Sequence, residues 1–128
     1  MAQIKSYTSL EQSKILAEIL PLESADMCYD GYALDNDGNH PVRLHKLDGE
    51  YDIPCWSLAA LYTILPNNEK ESTTLSRGGW KIEPPEYLDN WWCEYEGHEH
   101  SKDFTVSADN PIDACYEMIL KLHELKML

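Results

Sequence analysis

The chain is 128 residues long, the size of one compact domain, and 43% of it is hydrophobic, enough to bury a core of its own. Against 23 Asp and Glu stand 10 Lys and Arg, a formal net charge of -13, which repels nucleic-acid phosphates and anionic lipid alike and argues against direct nucleic-acid binding. Disorder throughout is excluded, and the best early apolar run, 15–22, is interrupted by Glu18 and Pro21 and falls well short of the ~20 residues that span a bilayer. A soluble, cytoplasmic single domain over 1–128, with no export leader and no membrane contact, is expected.

In chain order, Thr8 and Ser9 precede a run in which Ile15 and Ile19, and Leu16 and Leu20, fall four apart. Glu11 lies three after Thr8 and Gln12 three after Ser9, so either pair can form a capping box, and a helix over 9–20 is expected to stop at Pro21. Two strands, 26–34 and 42–47, flank the turn cluster Asp35-Asn36-Asp37-Gly38-Asn39 and read as a hairpin. Asp52 and Pro54 then suit a helix start, with Leu58, Leu61, Tyr62 and Leu65 on one face and Pro66-Asn67-Asn68 ending the run. A strand over 72–82, bent or bulged at Gly78-Gly79, comes next. In the following strand Trp91, Cys93 and Tyr95 alternate with Trp92, Glu94 and Glu96, which places an aromatic face against an acidic one. A polar turn over 97–103 leads to a short partner strand, 104–107.

The last element is a helix over 111–126. Asn110 is its N-cap, Pro111 its first residue and Asp113 sits at its positive end; Ile112, Cys115, Ile119, Leu122 and Leu125 form its apolar stripe, and Lys121, His123 and Lys126 collect at its negative end. The elements sum to an α+β fold in the order α-β-β-α-β-β-β-α, with about five strands in antiparallel sheet covered by three helices.

The segment Pro54-Cys55-Trp56-Ser57-Leu58, with Gly78-Gly79-Trp80, Trp91-Trp92, Ala108-Asp109-Asn110-Pro111 and Ala114-Cys115, resembles a pattern found in small uncharacterised phage proteins described as ABA-sandwich domains, and in hypothetical proteins of gut bacteria and their phages. The matching positions are packing and capping positions, so the resemblance implies a fold and no activity, and it assigns no functional residue.

Chemistry-bearing constellations are sparse. Cys28, Cys55, Cys93 and Cys115 are widely spaced beside apolar neighbours and read as free, buried thiols. His98, His100 and Cys93 could begin a zinc site, but characteristic ligand spacing is missing and a solvated turn is the better reading. Asp35-x-Asp37-x-Asn39 fails the calcium-loop frame, with Gly at the fourth position and Lys46 at the twelfth, and is expected to be a turn whose Asp and Asn accept local amides. No nucleophile elbow, P-loop or dinucleotide fingerprint is present, so no catalytic residue, metal or cofactor is assigned and the protein is expected not to be an enzyme.

The charge is uneven: 23–52 and 83–103 each sum to -6, nearly the whole excess. These segments supply the candidate interaction residues Asp30, Asp35 and Asp37, and Glu94 and Glu96 flanking Trp92. A strand cannot hide Trp91 and Trp92 on one face, so in a two-layer fold one of them becomes an exposed anchor, whereas with a helix over each sheet face both belong to the core, the reading given more weight. The expected function is that of a small acidic accessory protein, related to phages or mobile elements, acting through a protein partner that is basic or itself binds nucleic acid. A DNA mimic that inhibits a host nucleic-acid-binding or defence enzyme is one alternative; a small-ligand binder or hydrolase with a pocket lined by Trp and His is another.

Overall fold

The computed structural model describes residues 6–31, 34–43, 52–77, 90–97 and 103–128. The fold is α+β: the described residues form three α-helices and two three-stranded antiparallel sheets. The chain divides into two compact units, Ser6–Ala60 and a second that takes Leu61–Leu128.

In the first unit, α1 (Leu10–Ile19) begins at the expected capping box. The Ser9 hydroxyl accepts the Gln12 amide at 3.2 Å while the Gln12 side chain accepts the Ser9 amide at 3.0 Å, satisfying two donors that a helix start leaves open. The strands β1 (Met27–Tyr29) and β2 (Val42–Arg43) form the expected hairpin, with Tyr29 opposite Val42. The remainder of the expected second strand, 44–47, lies outside the described residues.

The segment after Asp52 departs from expectation. Ile53–Cys55 is not a helix start but a third strand, β3, paired antiparallel to β1 with Pro54 opposite Cys28. The sheet order β2-β1-β3 puts β3 at an edge, where the missing Pro54 amide costs no internal ladder bond. The helix starts later, as α2 (Leu58–Ile64), because Ser57 rather than Asp52 organises its first turn. The Ser57 hydroxyl accepts the Ala60 amide at 3.2 Å, and the Asp26 carboxylate accepts both the Ser57 amide, at 2.9 Å, and the Ser57 hydroxyl. The described residues therefore carry six strands where about five were expected, with the extra one inserted before α2.

The first core gathers Leu16, Leu20, Cys28, Tyr29, Cys55 and Trp56 around a wholly buried Thr8. Thr8 donates its amide to the Trp56 carbonyl at 3.0 Å, and its hydroxyl accepts the Trp56 amide at 3.2 Å and bonds to the Ser13 hydroxyl at 2.7 Å. Its carbonyl accepts the Tyr29 hydroxyl at 2.8 Å. One residue thus ties α1, β1 and the strand leading to α2 together, and each polar group buried with it has a partner.

In the second unit β4 (Glu71–Arg77), β5 (Trp91–Gly97) and β6 (Asp103–Ala108) form a sheet with β5 at its centre. The Gly78-Gly79 bend expected after β4 lies outside the described residues. Helix α3 (Pro111–Glu124) starts as expected, with the Asn110 side chain accepting the Asp113 amide at 2.9 Å. Its buried stripe, Ile112, Cys115, Met118, Ile119 and Leu122, packs on all three strands. Two residues placed on apolar stripes by spacing point outward instead, Tyr62 and Leu125 at 40% and 43% exposure. Tyr62 uses the position to donate its hydroxyl to the Thr73 carbonyl at 3.1 Å, and Leu125 is already the cap residue past the last turn of α3.

Replacing Thr8 with Val keeps the shape but leaves the Trp56 amide and the Ser13 hydroxyl without their buried partner. A loss of about 2 kcal/mol of unfolding free energy is expected, measured by urea denaturation.

Candidate functional site

The pairing register of the second sheet sorts its side chains into two faces. One face carries the cross-strand rows Thr73-Tyr95-Phe104, Leu75-Cys93-Val106 and Arg77-Trp91-Ala108 and lies against α3. Tyr95 stacks on Phe104 with ring centroids 5.6 Å apart, and Lys121 of α3 places its ammonium 5.4 Å from the Phe104 ring centre. Arg77 lies over the Trp91 ring at 6.0 Å. The other face carries Ser72-Glu96-Asp103, Thr74-Glu94-Thr105 and Ser76-Trp92-Ser107. Thr74, Glu94, Glu96, Asp103, Thr105 and Ser107 are exposed, and Trp92 is half-buried among them.

Three of the candidate residues, Trp92, Glu94 and Glu96, therefore share one face, as alternation along β5 requires. The structure adds Asp103, which stands directly opposite Glu96. Two like charges at facing positions of an antiparallel pair repel, so the sheet keeps this pair at a small cost in stability. The expected turn over 97–103 hid Asp103; extending the polar-apolar alternation of β6 back by one residue would have found it. Serines stand at 76 and 107 directly across from Trp92 on both neighbouring strands, and the indole between them is half-buried.

The other three candidates belong to the first unit, where the carboxylates of Asp30 and Asp35 are engaged. Asp30 forms an ion pair with Arg43 at 2.7 Å, and Arg43 also pairs with Asp52. The Asp52 side chain is 1% exposed, and its second oxygen accepts the Gly31 amide at 3.3 Å. Asp52, read from sequence as a helix cap, is instead the buried anchor of this cluster. Asp35 organises the expected turn: one carboxylate oxygen accepts the amides of Asp37 and Asn39, each at 2.9 Å, and Gly38 takes the left-handed backbone at φ 81° that closes it. Asp37 is exposed at its tip.

The cysteines are free and buried, as their neighbours suggested. The Cys115 thiol hydrogen-bonded to it, together with burial, pushes Cys93 well above the ordinary thiol range, and burial raises Cys55. Thiols so placed stay protonated at neutral pH and are poor nucleophiles. Among the described residues no group of three or more His, Cys, Asp and Glu is gathered as metal ligands would be, and His98 and His100 lie outside the described residues. Among the described helices, none is long and apolar enough to cross a membrane. Comparison with known proteins returns no match among family models, curated proteins or solved structures.

Two outcomes follow from this geometry. Arg43→Ala removes the ion-pair partner of the buried Asp52 carboxylate and is expected to cost about 3 kcal/mol, whereas Asp30→Ala, which leaves the Arg43-Asp52 pair in place, costs under about 1 kcal/mol; paired urea melts separate them. The second concerns high pH. Burial and the hydrogen bond to the Glu71 carboxylate, 2.9 Å away, push the Tyr95 phenol up to about 12, and burial followed by Cys55 and Tyr7 raises Tyr29 further. The folded state holds these protons more tightly than the unfolded chain, whose phenols titrate near 10.0. The stability they contribute is complete below about pH 10 and is lost as pH rises through the folded values. Unfolding free energy is expected to fall from about pH 10 upward, less steeply in Tyr95→Phe.

Proposed function

We propose that this chain is a small acidic accessory protein without catalytic activity, which binds a basic protein partner through the outer face of the β4-β5-β6 sheet. The observation that carries the reading is the placement of Trp92 on the same exposed face as Glu94, Glu96 and Asp103. A half-buried indole is already held in place and still offers contact area at little entropic cost, and tryptophan is among the residues that dominate interface energies. Carboxylates around it steer a cationic partner into place and penalise an anionic one, as does the net charge of -13. The hydroxyl rows flanking β5 offer donors to a polar rim, the usual surroundings of such an anchor.

Charge spacing favours this reading over DNA mimicry. Glu94 and Glu96 are two residues apart on one strand, which separates their backbone positions by about 6.8 Å, whereas duplex DNA presents a charge about every 1.7 Å of axis. The carboxylates described on this face are too sparse to stand in for a phosphate backbone, but sufficient to select a basic side-chain patch.

The test is affinity capture from a lysate of the natural host with wild-type protein and the triple variant Trp92→Ala, Glu94→Gln, Glu96→Gln, whose fold is checked by circular dichroism. A basic protein retained by the wild type and lost from the variant is the expected result, and identical captured sets would reject this face. Raising salt from about 50 to 200 mM is expected to weaken the complex several-fold; a loss of about a thousandfold or more would instead restore the DNA-mimic reading.

A further inference from the structure

A second site of a different kind lies within residues 6–60. The hairpin loop and the start of α1 enclose an open cleft of about 450 Å³, whose walls include Tyr7, Tyr29, Asp35, Asn39, His40 and Val42. That volume lies within the range of small-molecule clefts. Tyr7 meets Tyr29 edge to face, with ring centroids 6.2 Å apart and planes at 79°, giving the cleft an aromatic corner. Tyr29 is locked in place by the hydrogen bond its hydroxyl donates to the Thr8 carbonyl, 2.8 Å away.

Asp35 supplies the charge. Because one of its oxygens is committed to the amides of Asp37 and Asn39, the carboxylate is held in a fixed orientation by its own turn, and its other oxygen has no partner among the described residues. A carboxylate positioned by backbone donors loses little entropy when a cation arrives. Among the described residues neither Lys nor Arg lines the cleft. The N-terminus of α1, which also borders it, is closed by its own capping box and carries Glu11 in its first turn, so it offers little to an anion. Phosphate and carboxylate ligands are thereby disfavoured, while the aromatic corner attracts positive charge through the ring quadrupoles.

We infer that this cleft binds a small organic cation, an alkylammonium or guanidinium group on a short apolar stem, with the charge on Asp35 and the stem against the two tyrosines and Val42. The inference is independent of the sheet face in the other unit. The same cationic group can come from a free amine or from an arginine side chain, and the probes below separate the two.

Agmatine titrated into the 15N-labelled full chain, followed by NMR, is expected to give saturable shifts centred on Tyr7, Asp35, Asn39 and His40. The Asp35→Asn variant keeps the oxygen that accepts the turn amides but loses the charge, and is expected to weaken binding at least tenfold while the Asp37 and Asn39 amide signals stay in place. If that turn is disturbed, Tyr7→Leu serves in its stead, with an expected weakening of about threefold. Butyramide, a neutral amide on a four-carbon chain, is expected to give no saturable shift. N-acetyl-arginine methylamide binding as tightly as agmatine identifies a peptide-borne arginine as the ligand; binding tenfold more weakly identifies a free amine. No saturable response to agmatine, equal affinity in the Asp35→Asn variant with its turn intact, or equal binding of butyramide overturns the inference. The Trp92, Glu94 and Glu96 triple variant is expected to bind agmatine as the wild type does, so failure of one proposal leaves the other standing.

Discussion

The two-residue period of a strand is the constraint on which the second unit rests. Successive side chains of β5 must point to opposite faces, so a segment written Trp-Trp-Cys-Glu-Tyr-Glu cannot bury all its rings. Cys93 and Tyr95 are fully buried beneath α3, with Trp91 beside them under Arg77, and the same register leaves Trp92 among Glu94, Glu96 and Asp103 on the opposite face. A slip of one residue in either direction would drive two carboxylates into the core, which no packing gain could offset. Core and candidate surface are therefore two readings of one alternation, and mutations on the outer face can change binding while the helix-covered face continues to hold the fold.

The first unit is organised differently, by polar atoms rather than by an apolar layer alone. Its elements are short, with strands of two and three residues, and short strands bury little surface. Specific hydrogen bonds compensate. Thr8 joins three segments from a site with no solvent exposure, and Arg43 bridges Asp30 and the buried Asp52. Such networks stabilise only while every member is satisfied, and no buried side-chain polar atom among the described residues lacks a partner. Four of the eight acids in 23–52, part of what the composition suggested as an interaction signal, are spent in this way: Asp26, Asp30, Asp35 and Asp52 accept internal donors. Exposed carboxylates and structural carboxylates look the same in a charge count.

Much of the architecture was legible in local chemistry. The capping box of Ser9 and Gln12, the Asn110-Pro111 start of α3, the hairpin around Gly38 and the two faces of β5 all depend on residues a few positions apart, so sequence spacing suffices to find them. The misreading at Asp52 and Pro54 shows where this stops. Both residues are good helix starters, but Pro54 pairs across to Cys28 and Asp52 answers to Arg43, and those partners are distant along the chain or carry no local pattern. Pairing in a sheet overrode a local preference worth about 1 kcal/mol. The cleft had no sequence signature at all, since Tyr7 and His40 are brought together only by the hairpin folding against α1.

By itself, then, the amino-acid sequence determined the α+β class, the three helices, the buried thiols and the membership of Trp92, Glu94 and Glu96 in one face, because each follows from periodicity, capping or burial preference over a single element. The tertiary structure alone decided that Asp103 joins that face, that Asp30 and Asp52 are held by an arginine, and that a tyrosine-lined cleft opens beside Asp35. These depend on which strands pair and in what register, and pairing free energy is a sum over contacts distant in sequence that no local pattern encodes.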